Sequence, residues 1–272
     1  MSQGHATMPL AAYGALGLPL AMAALPVYVQ APAYYAGTLG LPLATTGMVL
    51  FAARLVDTVQ DPWLGRWIDR LAGAGRLHGV LWAAAAGLAL GFAGLWLPPA
   101  QGWLLAAWLA GMLVLVYTCH SLLQITHLAW GARLGFVPTV TRAAAWREGL
   151  GLAGVLGASV VPAWVLQPGA VEPQRGLALY ALGFAALLVA GLVLLLRAAP
   201  AWAGQRDDQA PAWREAWATP GFRALLLPYF LNALSVALPA TLALFFIQDR
   251  IGAGAQAGWL LTPYFLAGAA GL

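Results

Sequence analysis

The chain has 272 residues, of which 62% are hydrophobic and only 8% are charged. This composition leaves too little polar surface to cover a water-soluble globule, so lipid is the expected solvent for most of the chain. The 13 basic residues are all arginine and are scattered rather than clustered, which argues against binding to nucleic acid despite the net charge of +4. The single cysteine, Cys119, excludes an internal disulfide and a multi-thiolate metal site.

Apolar runs long enough to cross a bilayer as helices, about 20 residues each, recur along the whole chain. The alternating pattern typical of a membrane barrel strand does not. We therefore predict an all-α integral membrane protein with eight spanning segments. In chain order these are 10–33, 42–62, 77–97, 103–128, 143–166, 176–196, 223–247 and 256–272.

The arginines lie almost entirely in alternate connections between these segments. Only Arg175 and Arg250 follow odd-numbered segments, and Arg54 lies within a segment. Ten follow segments two, four and six, namely Arg66, Arg70, Arg76, Arg133, Arg142, Arg147, Arg197, Arg206, Arg214 and Arg223. Because basic loops stay on the cytoplasmic side of a membrane, we expect a cytoplasmic N-terminus in a multi-pass protein of the cell membrane, specifically the bacterial inner membrane.

The longest polar stretch lies between the sixth and seventh segments, from Arg197 to Arg223. It predicts an N-terminal six-helix transmembrane half at 1–197, a cytoplasmic linker at 198–222, and the first two helices of an incomplete C-terminal half at 223–272. Two such halves are a common plan of secondary transporters. The apolar residues at the end of the sequence predict that the chain stops inside its eighth helix.

Segment two contains charged residues at positions where a bilayer would surround them. Arg54, Asp57 and Asp61 are spaced i, i+3 and i+7, so a helix places all three on one face. Charges within a membrane are costly and mark a functional site by default. Two carboxylates one turn apart can share a cation or hold a single proton. The alternative is a structural Arg–Asp pair that holds two helices together.

Beyond Pro62 the sequence becomes polar, and we predict that Gly65, Asp69, Arg70 and Arg76 form a short gating loop between segments two and three. The glycine allows close helix approach, while the Asp and Arg can engage a helix end and neighbouring charges. The pattern resembles the loop between helices two and three of the major facilitator superfamily, roughly G-x-x-x-D-R followed by a basic residue. This resemblance implies that superfamily's helical bundle, with the loop charges helping to set its inward-facing and outward-facing states.

Segment two also resembles the second helix of the glycoside-pentoside-hexuronide:cation symporters, the group of melibiose permease. That helix reads approximately R-x-x-D-x-x-x-D-P-x-x-G, which Arg54, Asp57, Asp61, Pro62 and Gly65 match. The resemblance implies a cation site with Arg54 as charge partner, formed by Asp57, Asp61, Gln60, Ser121 and, as a neighbouring alternative, Thr118. Gln60 replaces the family's usual Asn and is one methylene longer, which suits H+ more readily than Na+. No metal is implied beyond Na+ at the two aspartates, and no cofactor.

The substrate cavity is the less defined part of the prediction. The family binds sugar hydroxyls with acids on helices one and four, whose positions here hold Pro19 and Gln124. Because a carboxylate is a strong acceptor for hydroxyl groups, their loss argues against the same galactoside chemistry. His120 is either a further cavity residue or a core histidine bonded to a neighbour. Asn232, inside segment seven, is a cavity candidate or a contact between helices.

These features favour a cation-coupled symporter of a small polar solute, such as a sugar or glycoside, that works by alternating access. The alternatives are an exporter of lipid-like or amphipathic compounds, an intramembrane enzyme that binds a diphosphate through its aspartates, and a transport-dead sensor. The enzyme is disfavoured because Asp57, Asp61 and Asp69 lack the spacing of prenyltransferase motifs and no second acidic cluster lies in the spans. The expected partners are the small-molecule substrate and the lipid bilayer, and the resemblance implies a monomer.

Overall fold

The computed structural model describes residues 3–25, 27, 30–165, 172–201, 217–245 and 250–252. The chain divides into two compact units, Met1–Gln205 and Arg206–Gly271. The first unit contains most of the described residues and all of the predicted cation site. Helices are the only regular elements in the described ranges, as expected where lipid offers the backbone no hydrogen-bond partners.

In the first unit the described helices are α1 Gln3–Gly14, α2 Gly17–Leu25, α3 Ala31–Ala33, α4 Leu43–Gly73, α5 Leu77–Trp96, α6 Trp103–Ala132, α7 Val137–Val165 and α8 Pro173–Ala198. A π-helical turn, Tyr34–Thr38, follows α3 directly. In the second unit the structure describes α9, Pro220–Phe245. These helices confirm the predicted all-α class. The eighth predicted segment, 256–272, lies outside the described residues.

Helices α5, α6 and α8 are long and apolar enough to cross a membrane. They coincide with the predicted segments 77–97, 103–128 and 176–196 to within a few residues. Helix α4 has 31 residues and α7 has 29, lengths that also exceed the thickness of a hydrocarbon core, roughly 20 helical residues. The charged and polar residues of α4 lower its hydropathy, and these are the residues that sequence analysis selects as functional.

The first predicted segment, 10–33, is not one continuous helix. The chain turns at Ala15 and Leu16, between α1 and α2. Pro19 accounts for the break, because it has no N–H to donate to the carbonyl of Ala15 and its ring would clash with that carbonyl. Pro19 itself lies in the first turn of α2, where a missing N–H costs least. A tight break is also compatible with the close approach of α7 to Gly14 and Gly17.

The prediction of a loop directly after Pro62 is wrong. Helix α4 continues past Pro62 to Gly73, so Gly65, Asp69 and Arg70 lie on the helix and not in a loop. A proline removes one backbone hydrogen bond, whereas ending the helix there would leave several more groups unpaired at the edge of the membrane. Of the four residues predicted as the gating loop, Arg76 alone lies in the connection, directly before α5.

Glycines bring the helices of the first unit into backbone contact. Gly154 of α7 lies against the backbone of Leu18 on α2, so closely that a Cβ at Gly154 would overlap the Leu18 carbonyl. On α5, a Cβ at Gly87 would lie 2.6 Å from the Cys119 Sγ atom of α6. Small residues at such crossings are the usual means of helix association in lipid, where no hydrophobic force drives it. They allow α5 to pack closely against α6 and α2 against α7.

Candidate functional site

Asp57 is a buried carboxylate at the contact between α4 and α6, with 6% of its surface exposed. Its Oδ2 atom accepts a hydrogen bond from Arg54 Nη1 at 2.9 Å, which is also an ion pair. Its Oδ1 atom accepts from Ser121 Oγ at 3.0 Å and from Gln60 Nε2 at 3.3 Å. A buried charge is tolerated when it is both paired and hydrogen-bonded, and Asp57 meets both conditions.

The helical periods of α4 and α6 bring these groups together. Arg54, Asp57 and Gln60 are three residues apart along α4 and therefore lie on one face. On α6, Thr118 and Ser121 are also three apart and face α4. Thr118 Oγ1 donates to Gln60 Oε1 at 2.9 Å. The structure thus joins the five residues in one hydrogen-bonded cluster, and Thr118 belongs to it together with Ser121.

Arg54 has a second contact that sequence analysis missed. Its guanidinium carbon lies 5.5 Å from the centroid of the buried Tyr117 ring, a cation–π geometry. The Arg54 side chain is about half exposed, so its guanidinium group contacts Asp57, the Tyr117 ring and the surroundings of the helix. Tyr117 precedes Ser121 by one helical turn, and this spacing is the signal that could have indicated it.

Asp61, one turn beyond Asp57, has different surroundings. It is half-buried, and its Oδ1 atom is buried without accepting a hydrogen bond from the residues that the structure describes. The two aspartates therefore differ: Asp57 is neutralised by Arg54, while Asp61 retains an acceptor oxygen that lacks a donor. Leaving a buried acceptor unsatisfied costs about 1–3 kcal/mol, so a proton or a cation bound at Asp61 would relieve that cost.

His120 links this part of α6 to α2. Its Nε2 atom lies 3.1 Å from the backbone carbonyl oxygen of Leu20, so one ring nitrogen has a protein partner. This contact agrees with the alternative that His120 is a core histidine bonded to a neighbour. Pro19, the residue before Leu20, is buried on α2, and Gln124 is half-buried one turn after His120 on α6. The contact between α2 and α6 thus brings the helix of Pro19 against the helix of Gln124.

Asn232 lies on α9 of the second unit and is exposed there. Its backbone carbonyl accepts a hydrogen bond from the Ser235 hydroxyl at 2.9 Å. Its assignment to the substrate cavity stays a prediction.

Of the residues predicted to gate, Gly65, Asp69 and Arg70 lie on the last part of α4, and Arg76 lies in the connection after it. Asp69 Oδ1 accepts from Arg133 Nη2 at 3.3 Å, which joins the C-terminal ends of α4 and α6. The arginine pattern of the sequence predicts a cytoplasmic position for Arg133 but does not indicate this pairing. A Cβ at Gly65 would meet no atom within 4 Å, so the described part of the chain leaves the side of α4 at Gly65 open.

A second link between helices was also missed. The Tyr13 hydroxyl on α1 donates to the His127 backbone carbonyl on α6 at 2.9 Å, while His127 Nε2 lies 2.8 Å from the Tyr13 carbonyl oxygen. The two rings are in contact, with centroids 4.4 Å apart. This reciprocal pair fixes α1 on α6 just before the break that precedes α2. No sequence motif marks such a pairing between distant residues.

Comparison with known families decides what this bundle is. The sequence profile of the family described as MFS/sugar transport protein matches residues 10–272, nearly the whole chain. The chain belongs to the MFS/sugar transport protein family. No curated protein matches it. The family confirms the predicted resemblance to the major facilitator superfamily and to transporters related to melibiose permease.

Membership in the MFS/sugar transport protein family makes the chain a membrane transporter. The apolar helices α5, α6 and α8 agree with a membrane location. The cluster of α4 and α6 joins an arginine, an aspartate and polar side chains of two helices around the buried Asp57. It is therefore the candidate functional site.

Proposed function

We propose that the protein is a secondary active transporter that couples the inward movement of a cation to the symport of a small polar solute. The observation that carries this proposal is the unequal pair of aspartates on α4. Asp57 has its charge balanced by Arg54 and its oxygens occupied by donors, whereas Asp61 has a buried oxygen without a donor among the described residues. One aspartate thus has its charge paired, and the other is available to bind the coupling ion.

Binding of one positive charge at Asp61 would neutralise the remaining net charge of the site. A cation bound between α4 and α6 would favour the state in which these helices are closest, and transport requires this difference in affinity between two states. Ser121 and Thr118 would transmit the change, since their hydroxyls bridge α6 to Asp57 and Gln60. His120, one residue from Ser121, would extend it to α2 through Leu20.

The coupling ion is a proton in the form of the proposal that the geometry supports best. A proton needs one acceptor oxygen, and Asp61 Oδ1 is such an atom. A sodium ion needs several oxygens at once, and here the Gln60 carbonyl already accepts from Thr118 while the Ser121 hydroxyl donates to Asp57. Sodium coupling would require these hydrogen bonds to rearrange.

A neutral polar solute suits the residues that replace the family's sugar-binding acids. Gln124 can donate and accept hydrogen bonds without a charge, and Pro19 contributes no hydrogen-bonding side chain. Such a cavity favours a sugar or glycoside held by amide and imidazole groups, with His120 as the second candidate. We also propose that the arginine-rich side of the bundle, which includes Arg76 and Arg133, faces the cytoplasm of a bacterial inner membrane.

The test is uptake of labelled sugars, glycosides and small acids into vesicles that contain the protein. We expect an imposed proton gradient to drive uptake of at least one solute. We also expect Asp61→Asn to abolish gradient-driven accumulation while leaving exchange of solute across the membrane. The matched control is Glu172→Gln, which removes an exposed carboxylate outside the site and is expected to leave uptake unchanged.

A sodium gradient that drives uptake where a proton gradient does not would replace the proposed ion but keep Asp61 as its site. Uptake that ignores both gradients and survives Asp61→Asn would refute cation coupling. Efflux of amphipathic compounds without uptake of polar ones would instead support the exporter.

A further inference from the structure

A cleft on the outer side of α4 is separate from the cation cluster. It has a volume of about 230 Å³ and is lined by Trp63, Arg66, Trp67 and Arg70. These residues are spaced i, i+3, i+4 and i+7, so the helix places them on one face. Asp57 and Ile68 are buried on the opposite side of the same helix, so this face points away from the first unit.

The two arginines of the cleft have no acidic partner in the described ranges. The ion pairs there involve Arg54, Arg133, Arg147 and Arg175 only. Asp69, the nearest acid along α4, pairs with Arg133 on α6. Arg66 and Arg70 therefore present two positive charges one turn apart toward the outside, and a ligand that occupies the cleft must be anionic to complement them.

The two tryptophans flank these charges and are well exposed, Trp63 at 66% and Trp67 at 44%. On the same face of α4, toward the start of the helix, the side chains Met48, Val56 and Val59 are apolar and exposed. An apolar surface, then tryptophan, then arginine is the order of side chains from the hydrocarbon core to the headgroups. The acyl chains of a lipid bound here would contact the apolar residues, and its headgroup would lie beside the tryptophans and arginines.

The length of α4 places the cleft at the correct depth. With 31 residues, the helix is about 46 Å long at 1.5 Å per residue, compared with a hydrocarbon core of about 30 Å. The first 20 residues from Leu43 are enough to cross that core and end at Pro62. The cleft begins at the next residue, Trp63, where phosphate groups of the membrane lie.

We infer that this cleft binds the headgroup of an anionic phospholipid, with the phosphate between Arg66 and Arg70 and the glycerol backbone beside the two indole rings. Arginine binds phosphate with paired N–H donors, and a basic group at the membrane surface strengthens binding to anionic lipid about fivefold. Because the cleft lies on the same helix as Asp57 and Asp61, bound lipid would stabilise one position of α4. The inference concerns lipid recognition and does not depend on the coupling ion or the solute.

The experiment measures quenching of tryptophan fluorescence in bilayers that contain dibrominated phosphatidylglycerol or dibrominated phosphatidylcholine. The signal of Trp63 and Trp67 is the difference between the unchanged protein and the Trp63→Phe/Trp67→Phe variant. We expect phosphatidylglycerol to be preferred at this site by about fivefold or more. The preference should approach one in Arg66→Gln/Arg70→Gln, and Arg66→Gln alone should lose part of it.

Arg197→Gln is the matched control, because Arg197 is an exposed arginine in the last turn of α8 outside the cleft. We expect this variant to retain the preference, and circular dichroism to give the same helix content for all variants. Equal quenching by the two lipids, an equal loss in Arg197→Gln, or displacement by excess inorganic phosphate would overturn the inference. The absence of any Trp63 and Trp67 signal would do so as well, because it would mean that protein, and not lipid, covers the cleft.

Discussion

Asp57 and Asp61 have the same chemistry and lie one helical turn apart, yet their hydrogen-bond partners in the first unit differ. Asp57 accepts hydrogen bonds from Arg54, Ser121 and Gln60. Asp61 Oδ1 accepts none from the described residues. The charge of Asp57 thus stabilises the contact between α4 and α6. The charge of Asp61 destabilises the site when no cation is bound. Substitution by asparagine, which keeps the shape and removes the charge, separates the two roles.

We expect Asp57→Asn to lower the free energy of unfolding by about 1–3 kcal/mol, because hydrogen bonds to a charged acceptor become bonds to a neutral one or are lost. Asp61→Asn is expected to change it by no more than about 0.5 kcal/mol, because Asp61 is only half-buried and forms no ion pair with the described residues. The measurement is reversible unfolding in mixed detergent micelles, followed by circular dichroism. A larger loss of stability for Asp61→Asn than for Asp57→Asn would contradict these roles.

At the scale of the helices, the packing of α2 against α7 requires their backbones to come into contact. Gly154 on α7 is buried against the Leu18 carbonyl group of α2, and its Cβ, if present, would lie 3.0 Å from the carbonyl carbon and closer still to the oxygen. Both atoms are backbone and cannot move aside as a flexible side chain would. A Cβ added at Gly157, one turn later on α7, would have no neighbouring atom within 4 Å.

Gly154→Ala is therefore expected to force α2 and α7 apart and to cost about 1–3 kcal/mol of stability, the usual penalty of overpacking. Gly157→Ala is the control on the same helix, and it should be neutral or stabilise by up to about 1 kcal/mol through higher helix propensity. Thermal unfolding of the two variants side by side measures the difference. Equal melting temperatures would contradict a close backbone contact between α2 and α7 at Gly154.

For the whole molecule, the open question is which side of the membrane each helix end faces. The turn between α4 and α5 contains the exposed Ala74, and the connection between α5 and α6 contains the exposed Gln101. Since α5 is long and apolar enough to span, these two positions should lie on opposite sides. The arginine distribution predicts that Ala74 is cytoplasmic.

Single cysteines test this orientation, because Cys119 is the only native one and can be replaced by serine. We expect a membrane-impermeant maleimide to label Gln101→Cys in intact cells. Ala74→Cys should react only after the membrane is permeabilised. The reverse labelling pattern would place the N-terminus outside and refute the proposed orientation, while labelling of both in intact cells would refute a spanning α5.

The sequence by itself determined the helical class, the positions of the apolar spans α5, α6 and α8, and the charged face of α4, because these depend on hydropathy and on the helical period alone. It also indicated the family through Arg54, Asp57, Asp61, Pro62 and Gly65. The tertiary structure decided three further points: the break before α2, the passage of α4 through Pro62, and the inequality of the two aspartates. Each depends on partners from distant parts of the chain or on unpaired backbone groups at the membrane edge, so local residue patterns could not reveal them.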